Sequence, residues 1–241
     1  MKKLLYVPII HMEADLGSLA RTTDEKCGQM CGKERWTKHK KAVSGFWDAL
    51  ANYFDLLDAS NLKIYQDGLV IDGEIGKKIV EKGASEGSKN YQIILKLMER
   101  GAEIRKTEDI LLLRQEYDRL IKLTQTQSFS GRMLAYMGYK LRKGSLMEKR
   151  DKFIAARINE TLQKGETGVL FLGVYHNVIP RISQEIRVYE VKNRSKVKAY
   201  FDGLISGKDE DKFNQLAEYL ASPVKKPSLY QTNVLTRGGR R

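Results

Sequence analysis

Two apolar runs in this chain stop at a histidine, and the chain has only three histidines. One is Gly168-Val-Leu-Phe-Leu-Gly-Val-Tyr-His176, followed by Asn177 and Arg181; the other is Leu4-Leu-Tyr-Val-Pro-Ile-Ile-His11, followed by Glu13 and Asp15. Imidazoles at the ends of buried strands, with carboxylates nearby, suit two kinds of chemistry. They ligate a divalent metal, or they supply a general base beside an electrostatic stabiliser. A third apolar stretch, Leu62-Lys-Ile-Tyr-Gln-Asp67-Gly68, ends in an acid that is either a turn residue or a further member of the same set. The metal set on this reading is His11, His176, Asp67 and Glu13, holding zinc, manganese or iron, and the catalytic set starts from His11, His176 and Asp67.

Other polar residues read more plainly. Glu13 and Asp15 also suit the cap of a following helix, and Glu108 suits the first turn of a helix, where its charge meets the helix dipole. His39 lies in a lysine-rich helical segment and reads as exposed, and the cluster Tyr136, Met137, Tyr139 reads as core packing. Cys27 and Cys31 with His39 make an incomplete zinc set, one ligand short of four. No serine nucleophile elbow, Walker A loop, G-x-G-x-x-G or H-E-x-x-H is present, which argues against serine-type covalent catalysis and nucleoside-triphosphate hydrolysis.

Elements must carry these residues to one place. Residues 4–10, 62–68, 102–106, 168–175 and 186–191 read as strands, apolar on both faces. Between them lie amphipathic helices: 36–57, 73–83, one capped by Ser88 and closed by Gly101, and one from Thr107 to about Leu123. A longer helical stretch, 128–164, is interrupted near Lys143-Gly144-Ser145, and two further helices cover 194–205 and 209–221. Strand and helix alternation of this kind predicts an α/β fold, with a mostly parallel (mixed) central sheet flanked by helices. Ligands then sit at the carboxyl ends of the strands, where His11, Asp67 and His176 fall.

The chain has 241 residues, 41% of them apolar, which suits one domain over residues 1–222. Residues 223–241 form a basic, flexible tail carrying Lys225, Lys226, Arg237, Arg240 and Arg241. No stretch reaches the roughly 18–20 apolar residues a membrane span needs. The first run contains Pro8 and leads into His11 rather than a cleavage site, so it reads as a strand of a cytoplasmic protein. The net charge of +13 favours an anionic partner, and it sustains the alternative of a non-enzymatic binding or ligand-sensing protein that holds nucleic acid on its basic surface.

The segment Glu148-Lys-Arg150-Asp151-Lys-Phe-Ile154-Ala155-Ala-Arg157-Ile158 through Gly173-Val-Tyr-His176 resembles the C-terminal signature of the superfamily of TraB/PrgY, Tiki, GumN, ChaN and erythromycin-esterase-like proteins. That signature joins an Arg-Asp helix to a hydrophobic strand and G-x-x-H. The place of a second, N-terminal G-x-x-H is taken by Pro8-Ile-Ile-His11, with Pro where Gly is usual, and Asp67 stands where Glu is commoner. The resemblance implies a ChaN- or erythromycin-esterase-like fold in which both histidines, the acid and the arginine face one cleft. It also implies a hydrolase that activates water, with or without a divalent metal, on a small-molecule or peptide substrate, with Arg150 completing the catalytic set by holding an anionic group or orienting Asp67. The oligomeric state is left open, a homodimer included.

Overall fold

The computed structural model describes residues 1–10, 31–125, 129–225 and 228–229, and within these it leaves aside the side chains of 119–125, 129–143, 205 and 228–229. His11, Glu13, Asp15 and Cys27 lie outside the described residues, as does most of the basic tail.

Five strands build a parallel sheet: β1 (Lys2–Ile9), β2 (Leu62–Gln66), β3 (Glu103–Arg105), β4 (Thr167–Gly173) and β5 (Ile186–Glu190), in the order β3-β2-β4-β1-β5. A two-residue β6 (Ser228–Leu229) pairs antiparallel with β5 at the edge. The coarse expectation, an α/β fold with a mostly parallel, mixed sheet, is therefore what the chain adopts. β4 sits in the middle because beyond Thr167 at its start it has no polar side chain to keep wet: Val169, Leu170, Phe171 and Leu172 are all fully buried. Insertion of β4 between β1 and β2 puts the carboxyl ends of all three side by side, Ile9 opposite Gly173 and Gln66 opposite Phe171.

The strands' alternate side chains feed two apolar layers. On one face Val7, Ile9, Ile64, Val169 and Phe171 pack against α1 (Lys33–Asp55), α2 (Gly73–Ser85), α3 (Lys89–Glu99), α6 (Arg194–Ser206) and α7 (Glu210–Ala221). On the other, Leu4, Tyr6, Tyr65, Leu170 and Leu172 meet Ile154, Ile158 and Leu162 of α5 (Phe129–Thr161), together with Val178 and Ile179 around a 3-10 turn at Ile179–Arg181. The remaining helix, α4 (Ile110–Gln125), packs along α5.

Local signals set three of the helix starts as capping rules require. Ser88, Asn193 and Asp209 accept from Tyr91, Lys196 and Lys212 backbone N–H groups. Gly101 takes φ 103°, a left-handed value that lets the chain turn from α3 into β3. Two boundaries differ from the sequence reading. Thr107 does not cap α4: its hydroxyl donates to the Gln66 carbonyl, and Asp109 caps instead, its Oδ1 accepting from Leu111 and Leu112 N–H at 2.8 and 3.2 Å. Gly144 and Ser145 do not interrupt α5, which runs through them unbroken. A single exposed glycine costs a helix only about 1 kcal/mol, which the packing of the buried half of α5 outweighs.

Candidate functional site

At the end of β4 the chain makes a tight turn in which His176 N–H donates to the Gly173 carbonyl at 3.0 Å. This folds His176 back over the strand end. Arg194, at the start of α6, pins the turn by donating to the Val174 and His176 carbonyls at 3.1 and 2.6 Å. Gly173 has a steric reason to lack a side chain. A Cβ there would lie 3.2 Å from Asp67 Oδ2 and 3.5 Å from the imidazole Cδ2.

The ring is fixed by Asp151 of α5. Its Oδ1 lies 2.7 Å from His176 Nδ1, and its Oδ2 accepts from Asn177 N–H at 2.9 Å. An ionised Asp151 needs a donor, so Nδ1 carries the proton and Nε2 is left as the reactive nitrogen. Nε2 stands 3.7 Å from Asp67 Oδ2. Burial works against a charged imidazole, yet the Asp151 hydrogen bond and the Asp67 charge outweigh it, with Arg150 opposing. The net effect raises the His176 pKa above its ordinary value.

Asp67 is more than a turn residue. Its Oδ2 accepts from Gly173 N–H at 3.0 Å, and its Oδ1 accepts from Arg150 Nη2 at 3.1 Å. Arg150 precedes Asp151 on α5, so the two side chains diverge by about 100° and reach different partners. Its Nε lies 3.1 Å from both Glu108 oxygens, its Nη2 2.5 Å from Glu108 Oε1, and its Nη1 bonds Glu116 of α4. All three guanidinium nitrogens thus serve carboxylates. The guanidinium thereby ties the end of β2 to α5 and fixes the Asp67 carboxylate.

Glu108 corrects the sequence reading. It is fully buried against Arg150 rather than in the first turn of α4, which begins two residues later. Backbone bonds from Thr107 and Glu108 N–H to the Leu69 carbonyl tie this loop to the end of β2 and carry the carboxylate inward. Burial pushes the Glu108 carboxyl above its usual range, against the pull of Arg150. His39 is a second correction. It is buried, stacked on Trp36 at 4.7 Å, with Nδ1 3.0 Å from the Tyr200 hydroxyl, because the face of α1 that carries it packs on α6. Burial first, and the Lys40 charge second, bring its pKa down to about 4.

A cavity of about 640 Å³ opens over the strand ends, lined by Ile9, Asp67, Asn90, Glu116, Arg150 and His176 among others. Its size is that of a small-molecule site. Asp67, Arg150 and His176 are thus brought together, while His11 and Glu13, just past the end of β1 in sequence, fall outside the described residues. The sequence reading assigned Glu108 to the helix dipole and did not single out Asp151 or Glu116 for this site. Asp151 stood beside Arg150 in the quoted segment, but no local signal tied it to His176, and nothing marked Glu116. Among the described residues no three His, Cys, Asp or Glu side chains are grouped to hold a metal ion. His176 Nε2 and Asp67 Oδ2 lie 3.7 Å apart at the cavity. No described helix is long and apolar enough to cross a membrane.

Comparison of this chain with models of protein families, with curated proteins and with solved structures finds no match.

Proposed function

We propose that this chain is a hydrolase in which His176 activates water, as the resemblance to the TraB, Tiki, ChaN and erythromycin-esterase superfamily implies. The observation that carries the reading is the buried Asp151–His176 pair, with Nε2 and the Asp67 carboxylate side by side at the cavity wall. A water about 2.8 Å from both Nε2 and Oδ2 would close a triangle on their 3.7 Å edge. Both acceptors take its protons, so its lone pairs face the cavity. As the water oxygen attacks an electrophilic carbon, one proton passes to Nε2. Asp151 stabilises the imidazolium, which then returns the proton to the leaving group. Arg150 holds Asp67 in place and takes no proton.

The metal-assisted version uses the same Nε2 and Oδ2 and needs further donors, for which His11 and Glu13 are the candidates. A divalent ion there would lower the pKa of its water toward about 7. The test is turnover of a panel of esters, lactones and peptides by the full chain, with and without added zinc, manganese or iron. Turnover is expected to fall about 10²–10⁴-fold in His176→Ala, to fall in Asp151→Asn, and in the wild type to rise with pH as the imidazole loses its proton. Activity unchanged in both variants, or no turnover of any substrate class, overturns the reading.

A further inference from the structure

We propose that the cavity takes an organic cation, a protonated amine carried on an apolar body. This names the substrate class of the site above and rests on that site being the substrate cleft. The first observation is an orphaned acceptor. Asn90, near the start of α3, is only 3% exposed and lines the cavity, and its Oδ1 has no hydrogen-bond partner. Its orientation is forced by its neighbours. The Asp67 carbonyl can only accept, so it requires Gln66 Nε2, which lies 3.2 Å away. That leaves Gln66 Oε1 to accept from Asn90 Nδ2 at 2.9 Å, and the chain of amides ends on Oδ1. A buried acceptor without a partner costs about 1–3 kcal/mol, which a donor on a ligand removes.

Charge points the same way. Of the charged groups that line the cavity, Asp67 and Glu116 are carboxylates and Arg150 is a cation, with Glu108 and Asp151 behind them, so the wall carries more carboxylate than cation while His176 is neutral. Each nitrogen of Arg150 already bonds a carboxylate, so its charge is matched within the protein. The apolar part of the wall adds Tyr91, Tyr117, Tyr175 and Phe201, whose ring faces attract cations. Tyr175 already has the Lys198 ammonium 5.4 Å from its centroid. An acceptor-rich, aromatic cleft in a chain of net charge +13 selects against the anionic partners that the overall charge invites.

Calorimetric titration of the full chain at pH 7 tests this with benzylamine, benzyl alcohol, benzoate and zinc chloride alone. A capped Gly-Lys-Gly peptide is included to separate a free amine from a lysine side chain. Benzylamine or the peptide is expected to bind at least about tenfold tighter than the alcohol and the benzoate, a difference of about 1.4 kcal/mol. Binding should weaken in Asn90→Leu, which removes the orphaned acceptor, and in Glu116→Gln, which removes a carboxylate without burying a new group. Circular dichroism checks that each variant is folded, and Glu116→Gln decides alone if Asn90→Leu is not. The proposal is overturned if benzoate binds as tightly as the amine, if zinc binds and no amine does, or if amine binding is the same in every folded variant. Turnover of neutral substrates that depends on His176, without amine binding, removes this proposal and leaves the hydrolase reading. Amine binding without turnover does the reverse.

Discussion

His176 and His39 are both about 5% exposed, in the same fold, and their surroundings drive them in opposite directions. His176 sits between Asp151 and Asp67, and these carboxylates overcome the cost of burying an imidazolium. His39 is enclosed by Trp36, Tyr200 and Phe201, with a hydroxyl as its polar partner and the Lys40 charge nearby, so it remains neutral down to about pH 4. Burial alone therefore does not determine what a histidine does. The charge of the group facing it does, and only the first arrangement favours a proton on the ring.

The largest test of this contrast alters the charge around His176. Arg150→Met keeps most of the side-chain volume and leaves Asp67, Glu108 and Glu116 without their cation. Urea unfolding at pH 7 should show a loss of about 3–5 kcal/mol, as for other buried pairs stripped of one partner. The loss should shrink at acidic pH, because the Glu108 carboxyl, already pushed up, takes a proton readily. A loss that is the same at pH 7 and pH 5 would mean that packing, not charge, is what Arg150 provides.

A somewhat smaller effect compares the two histidines directly. The pKa of His39 falls from an unfolded value of about 6.5 to about 4, so the unfolded chain takes the proton first as pH drops. Wild type should lose up to about 3 kcal/mol relative to His39→Gln between pH 6.5 and pH 4. For His176 the sign reverses. Its folded pKa is raised, so its contribution relative to His176→Gln is fully present below about pH 6.5 and is lost as pH rises through the folded value. Unfolding curves of the two variants should therefore diverge from wild type at opposite ends of the pH range. Parallel pH profiles would erase the distinction. The finest test leaves the histidine in place. Asp151→Asn should lower the His176 pKa, read from its ring resonances by nuclear magnetic resonance, while that of His39 stays where it was.

Much of the fold was legible because it depends on short-range pattern. Runs such as Val169 to Leu172 are apolar on both faces and fit only an interior parallel strand. Ser88 marks a helix start by what its own side chain can accept. Misreadings arose where a neighbour distant in sequence decided the outcome. Glu108 looked like a helix-dipole residue because its partner, Arg150, lies 42 positions on. His39 looked exposed because the lysines beside it in sequence point elsewhere around α1, while Tyr200 of α6 covers it. Thr107 had the right chemistry for a cap, but the Gln66 carbonyl of the adjoining strand took its hydroxyl.

By itself, then, the sequence determined that strands alternate with helices and that His176, Asp67 and Arg150 occupy the ends or flanks of buried elements. Periodicity, capping and the placement of polar residues after apolar runs are local properties of a chain. Tertiary structure decided everything that depends on charge at a distance. Placing β4 between β1 and β2 set Gly173 against Asp67, and packing α5 across one sheet face delivered Arg150 to Asp67 and Asp151 to His176. A side chain's protonation, and with it the chemistry it can perform, is set by the dielectric and the charges within a few ångströms, and those are supplied by residues the local sequence does not contain.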